Sequence, residues 1–223
     1  MKLQEETKAH GKWYDDACGT AFAMELVGER WSLLIVRELL YGPLRFSDLR
    51  AGLPAISAKV LTERLAGLEN AGIVARRVLD PPASVQVYEL TEWGRAADTA
   101  IMELGRWAAL SSRHDPTLPL SPASLMMSFR TMIDHEAAAG LDADLAFVVA
   151  GQSFRANVKG GALAIARGSA EGAQAVMRAP AAMPIAAHVY GDVPLGELPV
   201  EVEGDAALMA RFVACVWLPE KMA

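Results

Sequence analysis

The chain has 223 residues, is 52% apolar and carries a formal net charge of −6. That length accommodates two domains with packed cores. The negative charge excludes nucleic-acid binding by overall electrostatics, so any such binding needs a local basic patch. The two cysteines, Cys18 and Cys215, lie far apart, and no Cys/His cluster has metal-ligand spacing, so no cofactor or metal is expected.

The segment Met1–Asp16 is polar and does not read as a signal peptide. The longest uncharged stretches are interrupted by prolines and fall short of the ~18 apolar residues of a membrane span. A cytoplasmic protein with reduced thiols and no membrane partner is expected.

Helices are predicted over Cys18–Val27 and Arg30–Tyr41, split by Gly28. The second has a wide apolar face (Leu33, Leu34, Val36, Leu39, Leu40) and stops at Gly42-Pro43. Phe46–Gly52 reads as a short helix and Leu53–Ala55 as a turn. Ser57 then suits an N-cap, and Leu61, Leu65 and Leu68 fall on one face of a helix Ser57–Ala71 that Gly72 ends. Two strands, Ile73–Leu79 and Val85–Leu90, flank "DPPAS", a proline-containing hairpin tip. Thr91 caps a helix running from Glu92 to about Ser111.

Helix, short turn, helix and hairpin make a winged helix-turn-helix. Charge agrees locally: from Arg45 to Arg77 six basic residues face three acidic ones. The leucines of Ser57–Ala71 pack inward, and its polar face is placed to enter a major groove. Arg76 and Arg77 sit at the base of the wing. The plainer alternative is a solvated helix face beside a solvated hairpin, in which Arg64 pairs with Glu63 or Asp48.

"SSRHDPTLPLSP" (Ser111–Pro122) packs three prolines between two helical patterns and marks a linker. The expected domains are therefore 1–115 and 116–223. A helix is predicted over Pro122–Ala139, then three strands within Ala143–Gly168. "SAEGAQAVMRAP" is predicted to begin a helix capped by Ser169, followed by helical "AAMPIAAHVYG", a strand "PVEVEG" and a closing helix capped by Asp205. The expected class is α+β, with helices layered on an antiparallel sheet.

The stretches Gly28–Arg30–Trp31, "LLIVRELLYGPLRFSDL", "IS.KVLTERL..LE.AGIV.R" and "VYELTEWG" resemble the HxlR family of bacterial transcription regulators, relatives of the MarR group. The resemblance implies a homodimeric winged-helix protein whose partner is double-stranded DNA at a pseudo-palindromic operator. Carried over residue by residue, Ser57, Lys59, Thr62, Arg64, Arg76 and Arg77 become the candidate DNA contacts. Ala58 stands where the family often has proline, and Gly19 follows Cys18 where it often has proline. Some members sense electrophiles or oxidants through a cysteine near Cys18. Read from the residues alone, a thiol on an apolar helix is a small buried hydrophobe, and Asp15 and Asp16 would raise its pKa. Cys215, within "FVACVWL", is expected in a core.

The order of elements after residue 116 resembles the sterol-carrier-protein-2-like fold. That likeness implies a cavity for an apolar small-molecule effector, lined by Met126, Phe129, Phe147, Phe154, Met183, Tyr190 and Phe212. Met and Ala at helical spacing equally suit an ordinary core. The leading expectation is a ligand-responsive DNA-binding regulator; the alternative is a lipid or small-molecule carrier whose first half only dimerises. No Ser/His/Asp order or phosphate loop is present, and His10, His114, His135 and His188 are scattered, so an enzyme is not expected.

Overall fold

The computed structural model describes residues 14–80 and 84–222. Residues 1–13, with His10 and most of the polar N-terminal segment, lie outside the described residues, as do Pro81–Ala83 of the expected hairpin tip. The described residues divide into two compact units, one within residues 14–39 and 43–95, the other within residues 40–42 and 96–222.

In the first unit α1 spans Gly19–Val27, α2 Ser32–Leu39, α3 Phe46–Gly52 and α4 Ala58–Asn70. The start of α2 falls two residues later than the apolar pattern suggests, because Trp31 holds a φ of 82°, a left-handed value that helix backbone cannot use. Ser57 caps α4 as expected: its hydroxyl accepts the Val60 N–H at 3.2 Å. Leu61, Leu65 and Leu68 are buried together with Ile35, Val36 and Leu39 of α2. Strands β1 (Val74–Val78) and β2 (Gln86–Leu90) pair antiparallel. Leu44 forms an isolated antiparallel bridge to β2 by exchanging two backbone hydrogen bonds with Tyr88, at 3.0 and 2.8 Å. Thr91 caps α5 (Glu92–Arg95) through the Gly94 N–H.

The long helix expected from Glu92 to Ser111 is broken. Its second piece, α6 (Asp98–Ala109), starts after a turn at residues 96–97 and is counted with the second unit. Close packing accompanies the break: a Cβ built on Gly94 would lie 2.1 Å from the Ile73 carbonyl oxygen.

The second unit continues with α7 (Pro122–Met132), β3 (Ala143–Val149), β4 (Gln152–Lys159), β5 (Ala162–Arg167), β6 (Ala175–Ala179), α8 (Ala182–Gly191), β7 (Glu201–Gly204) and α9 (Ala206–Val213). Ser121 and Asp205 cap α7 and α9 by accepting the N–H groups of Ser124 and Leu208. Helix α7 is shorter than expected because Ile133 turns to extended backbone and pairs with Val216.

The segment "SAEGAQAVMRAP" is not the start of a helix. It begins with a turn, Gly172 at φ 71°, and its end is strand β6, inserted between β3 and β7 in the order β5-β4-β3-β6-β7. β6 runs parallel to β3, so the sheet is mixed, not purely antiparallel. Ala175, Val176 and Met177 are all buried, as an interior strand requires, and this continuous burial hides the period-2 pattern.

One face of the sheet and the helices share an aromatic core. The Phe129 ring lies 5.2 Å from Phe147 and 5.7 Å from Phe212, and Phe147 lies 5.6 Å from Phe212. Arg130 of α7 reaches Asp98 of α6 at 2.5 and 3.0 Å, fastening those helices. Phe129→Ala is expected to remove about 3–5 kcal/mol from this unit. Urea unfolding followed by circular dichroism measures it; a loss below about 1 kcal/mol would show that the ring cluster does not hold the unit together.

Candidate nucleic-acid interface

Helix α4 has two faces. The leucines pack inward, so Ser57, Lys59 and Thr62 are exposed on the other side. The Lys59 side chain is 86% accessible, and its only ionic neighbour among the described residues is Glu63 at 4.0 Å. Thr62 donates its hydroxyl proton to the Ala58 carbonyl at 3.0 Å, so its free valence is an acceptor, which a phosphate does not seek. Arg64 is half-buried and pairs with Glu29 at 3.1 Å, a partner different from the Glu63 or Asp48 considered above. Its Nε is buried with no hydrogen-bond partner among the described residues.

The wing arginines are also engaged. Arg76 makes a two-pronged contact with Glu69 at 2.7 and 3.1 Å, and its guanidinium lies 5.7 Å from the Tyr88 ring centre. Arg77 grips Glu89 through two bonds of 3.0 Å. Adjacent residues of a strand point to opposite faces, so Arg76 and Arg77 do not form one basic surface. Arg45 and Arg50, at the two ends of α3, are exposed and have no ion-pair partner among the described residues. Their charges entered the local count, but sequence offered no sign that these two would stay free while the wing arginines did not.

The HxlR-like helix-turn-helix family model matches residues 26–115. The regulator YvaP of Bacillus subtilis is 42% identical over 87 residues, which are 39% of this chain and 80% of YvaP. YodB of the same organism is 42% identical over 86 residues, 39% of this chain and 77% of YodB. The chain belongs to the HxlR-like helix-turn-helix family. Among solved structures, quinone-bound YodB from B. subtilis is 39% identical, spans 40% of this chain and 93% of its own, and has a TM-score of 0.36. The oxidised redox regulator HypR is 30% identical, spans 44% and 99%, and scores 0.40.

This HxlR-type protein is a DNA-binding transcription regulator. No described helix is long and apolar enough to cross a membrane. The described residues contain no group of three or more His, Cys, Asp or Glu able to hold a metal.

Cys18 differs from the plain sequence reading. It is exposed, immediately before α1, not buried on that helix. The backbone N–H of Thr20, its hydroxyl and the N–H of Ala21 hold the thiol pKa below the ordinary cysteine value. Asp16 accepts the Cys18 backbone N–H at 2.9 Å, so this carboxylate is turned to the main chain. Cys215 is buried, and burial pushes its thiol up.

The residues expected around an effector divide by burial. Met126, Phe129, Phe147, Phe154 and Phe212 are fully buried and belong to one core cluster. Met183 and Tyr190 are half-buried, and Tyr190 donates to the Ser128 hydroxyl at 2.9 Å. Burial raises the Tyr190 pKa, so the phenol stays protonated.

Two outcomes are expected from this geometry. Iodoacetamide should modify Cys18 well before Cys215, with a pH midpoint below that of a cysteine peptide; equal rates at the two thiols would contradict the assignment. Glu89→Gln should release Arg77 and tighten association with duplex DNA by a few-fold, with a steeper dependence on salt. An unchanged anisotropy titration would show that Arg77 does not face phosphate.

Proposed function

We propose that the protein acts as a homodimer and reads a pseudo-palindromic operator with two copies of α4. The supporting observation is the division of α4 into a buried leucine face and an exposed face carrying Ser57 and Lys59 beside a β-hairpin. A two-fold dimer would place the α4 helices in successive major grooves, ~34–36 Å apart. Lys59 reaches a base edge or phosphate without giving up a strong partner. The Ser57 hydroxyl accepts from Val60, so its own proton is free for a phosphate oxygen. Arg64, Arg76 and Arg77 would take part by exchanging Glu29, Glu69 and Glu89 for phosphate. Thr62 would contribute packing or accept a hydrogen bond.

On this reading residues 1–115 form the DNA-binding and dimerisation domain, a boundary supported by the end of the family match at residue 115. Residues 116–223 form an effector domain related to the sterol-carrier-protein-2-like fold, supported by the layering of helices on a five-stranded sheet. An apolar effector would enter beside Met183 and Tyr190, the half-buried members of the expected lining. It would displace rings of the Phe129 cluster and thereby alter DNA affinity. Cys18 is a second candidate input, an exposed thiol with a lowered pKa. Such a regulator works in the cytoplasm and has no catalytic role.

Lys59→Ala tests the reading. Operator affinity is expected to fall about tenfold or more, as for loss of a good base contact, with thermal stability unchanged because the side chain is exposed. Unchanged affinity would remove Lys59, and with it the exposed face of α4, from the DNA contact.

A further inference from the structure

A pocket of about 530 Å³ lies at the end of α6, outside the residues already considered. Its walls include Trp107, Ser111, Ser112, Arg113, His114 and, from the far end of the chain, Met222. The C-terminal tail is fastened there: Met222 N–H donates to the Leu110 carbonyl at 2.7 Å, and Lys221 Nζ donates to the Ala109 carbonyl at 2.8 Å. The volume suits a small organic molecule.

The polarity of this pocket is one-sided. The carbonyls at the helix end, which would attract cations, are taken by Lys221 and Met222. The Ser111 carbonyl accepts the His114 N–H at 3.0 Å, and the Ser111 hydroxyl accepts the Arg113 N–H at 3.2 Å. Lys221 Nζ lies 3.2 Å from His114 Nδ1. An ammonium has no lone pair, so Nδ1 accepts and the imidazole proton sits on Nε2. Burial, then the Lys221 charge, lowers the His114 pKa and keeps the ring neutral at pH 7. The nearest carboxylate in sequence, Asp115, is occupied by the Thr117 N–H and hydroxyl at 2.9 and 2.6 Å. The donors on this wall include His114 Nε2–H, the Ser111 hydroxyl, which accepts the Arg113 N–H and keeps its own proton, the Arg113 guanidinium and the Ser112 hydroxyl. Among the described residues neither the guanidinium nor the Ser112 hydroxyl has a partner.

The apolar part of the wall is exposed. Trp107 is 71% and Met222 64% accessible, although both are large hydrophobic side chains. An apolar wall that includes an indole, together with a guanidinium, suits a planar apolar molecule that ends in an anion.

We propose that this pocket binds a small aromatic carboxylate, its ring against Trp107 and its carboxylate on Arg113. The inference goes beyond the apolar effector considered above, in both the ligand and the place. It does not depend on how α4 meets DNA.

Isothermal titration of the full chain with 2-naphthoate tests it, with 2-naphthalenemethanol as neutral isostere and acetate as bare carboxylate. Naphthoate is expected to bind, and both controls to bind at least about tenfold more weakly. Arg113→Gln and Trp107→Leu should each weaken naphthoate by a similar factor, while Lys59→Ala should leave it unchanged. No binding of naphthoate, equal binding of the alcohol, or full affinity in Arg113→Gln would each overturn the proposal.

Discussion

The first unit depends on one packing constraint: α4 has a single leucine stripe, and only one rotation of the helix buries it. Leu61, Leu65 and Leu68 have essentially no exposure, together with Ile35 and Leu39 of α2. Rotating the helix away would expose three leucines, each worth about 1.5–3 kcal/mol when buried. Ser57, Lys59 and Thr62 therefore face outward because the opposite face is buried, and their own contacts stay within the helix and its cap. The Ser57 cap sets where the helix starts, so packing fixes its direction and capping its register.

Electrostatics tempers what this surface can do. A basic patch counted from sequence is not the same as basic groups available to a partner. Glu29, Glu69 and Glu89 each hold one of the arginines that the pattern nominates. Exposed ion pairs are weak, so phosphates can replace these carboxylates, but the exchange reduces the gain from each contact. Such self-pairing lowers the non-specific attraction between this surface and DNA.

Much of this was readable in the sequence because its causes are local. The spacing of Leu61, Leu65 and Leu68 and the caps at Ser57, Thr91 and Asp205 all act within a few residues. Strand β6 was not readable, because its identity comes from pairing with β3, about 30 residues away, and with β7. Its Ala, Met and Gln neighbours favour helix on their own, and tertiary pairing overrode them. The carboxylate partners of Arg76 and Arg77 were hidden similarly: Glu69 and Glu89 become neighbours only once α4 and β2 pack beside β1. For Cys18, the acidic residues before it suggested a raised pKa, whereas the helix that follows lowers it. The pocket at the end of α6 needs the chain terminus to return to Ala109, which no local pattern announces.

On the proposed reading, α4 and the wing bind a specific duplex. Fluorescence anisotropy with the full chain tests it most directly, using a duplex recovered by selection from random sequence and a scrambled control at 50 and 200 mM salt. Tight binding to the selected duplex, much weaker binding to the control and a steep loss with salt are predicted. Equal affinity for the two duplexes, or affinity independent of salt, would contradict the account.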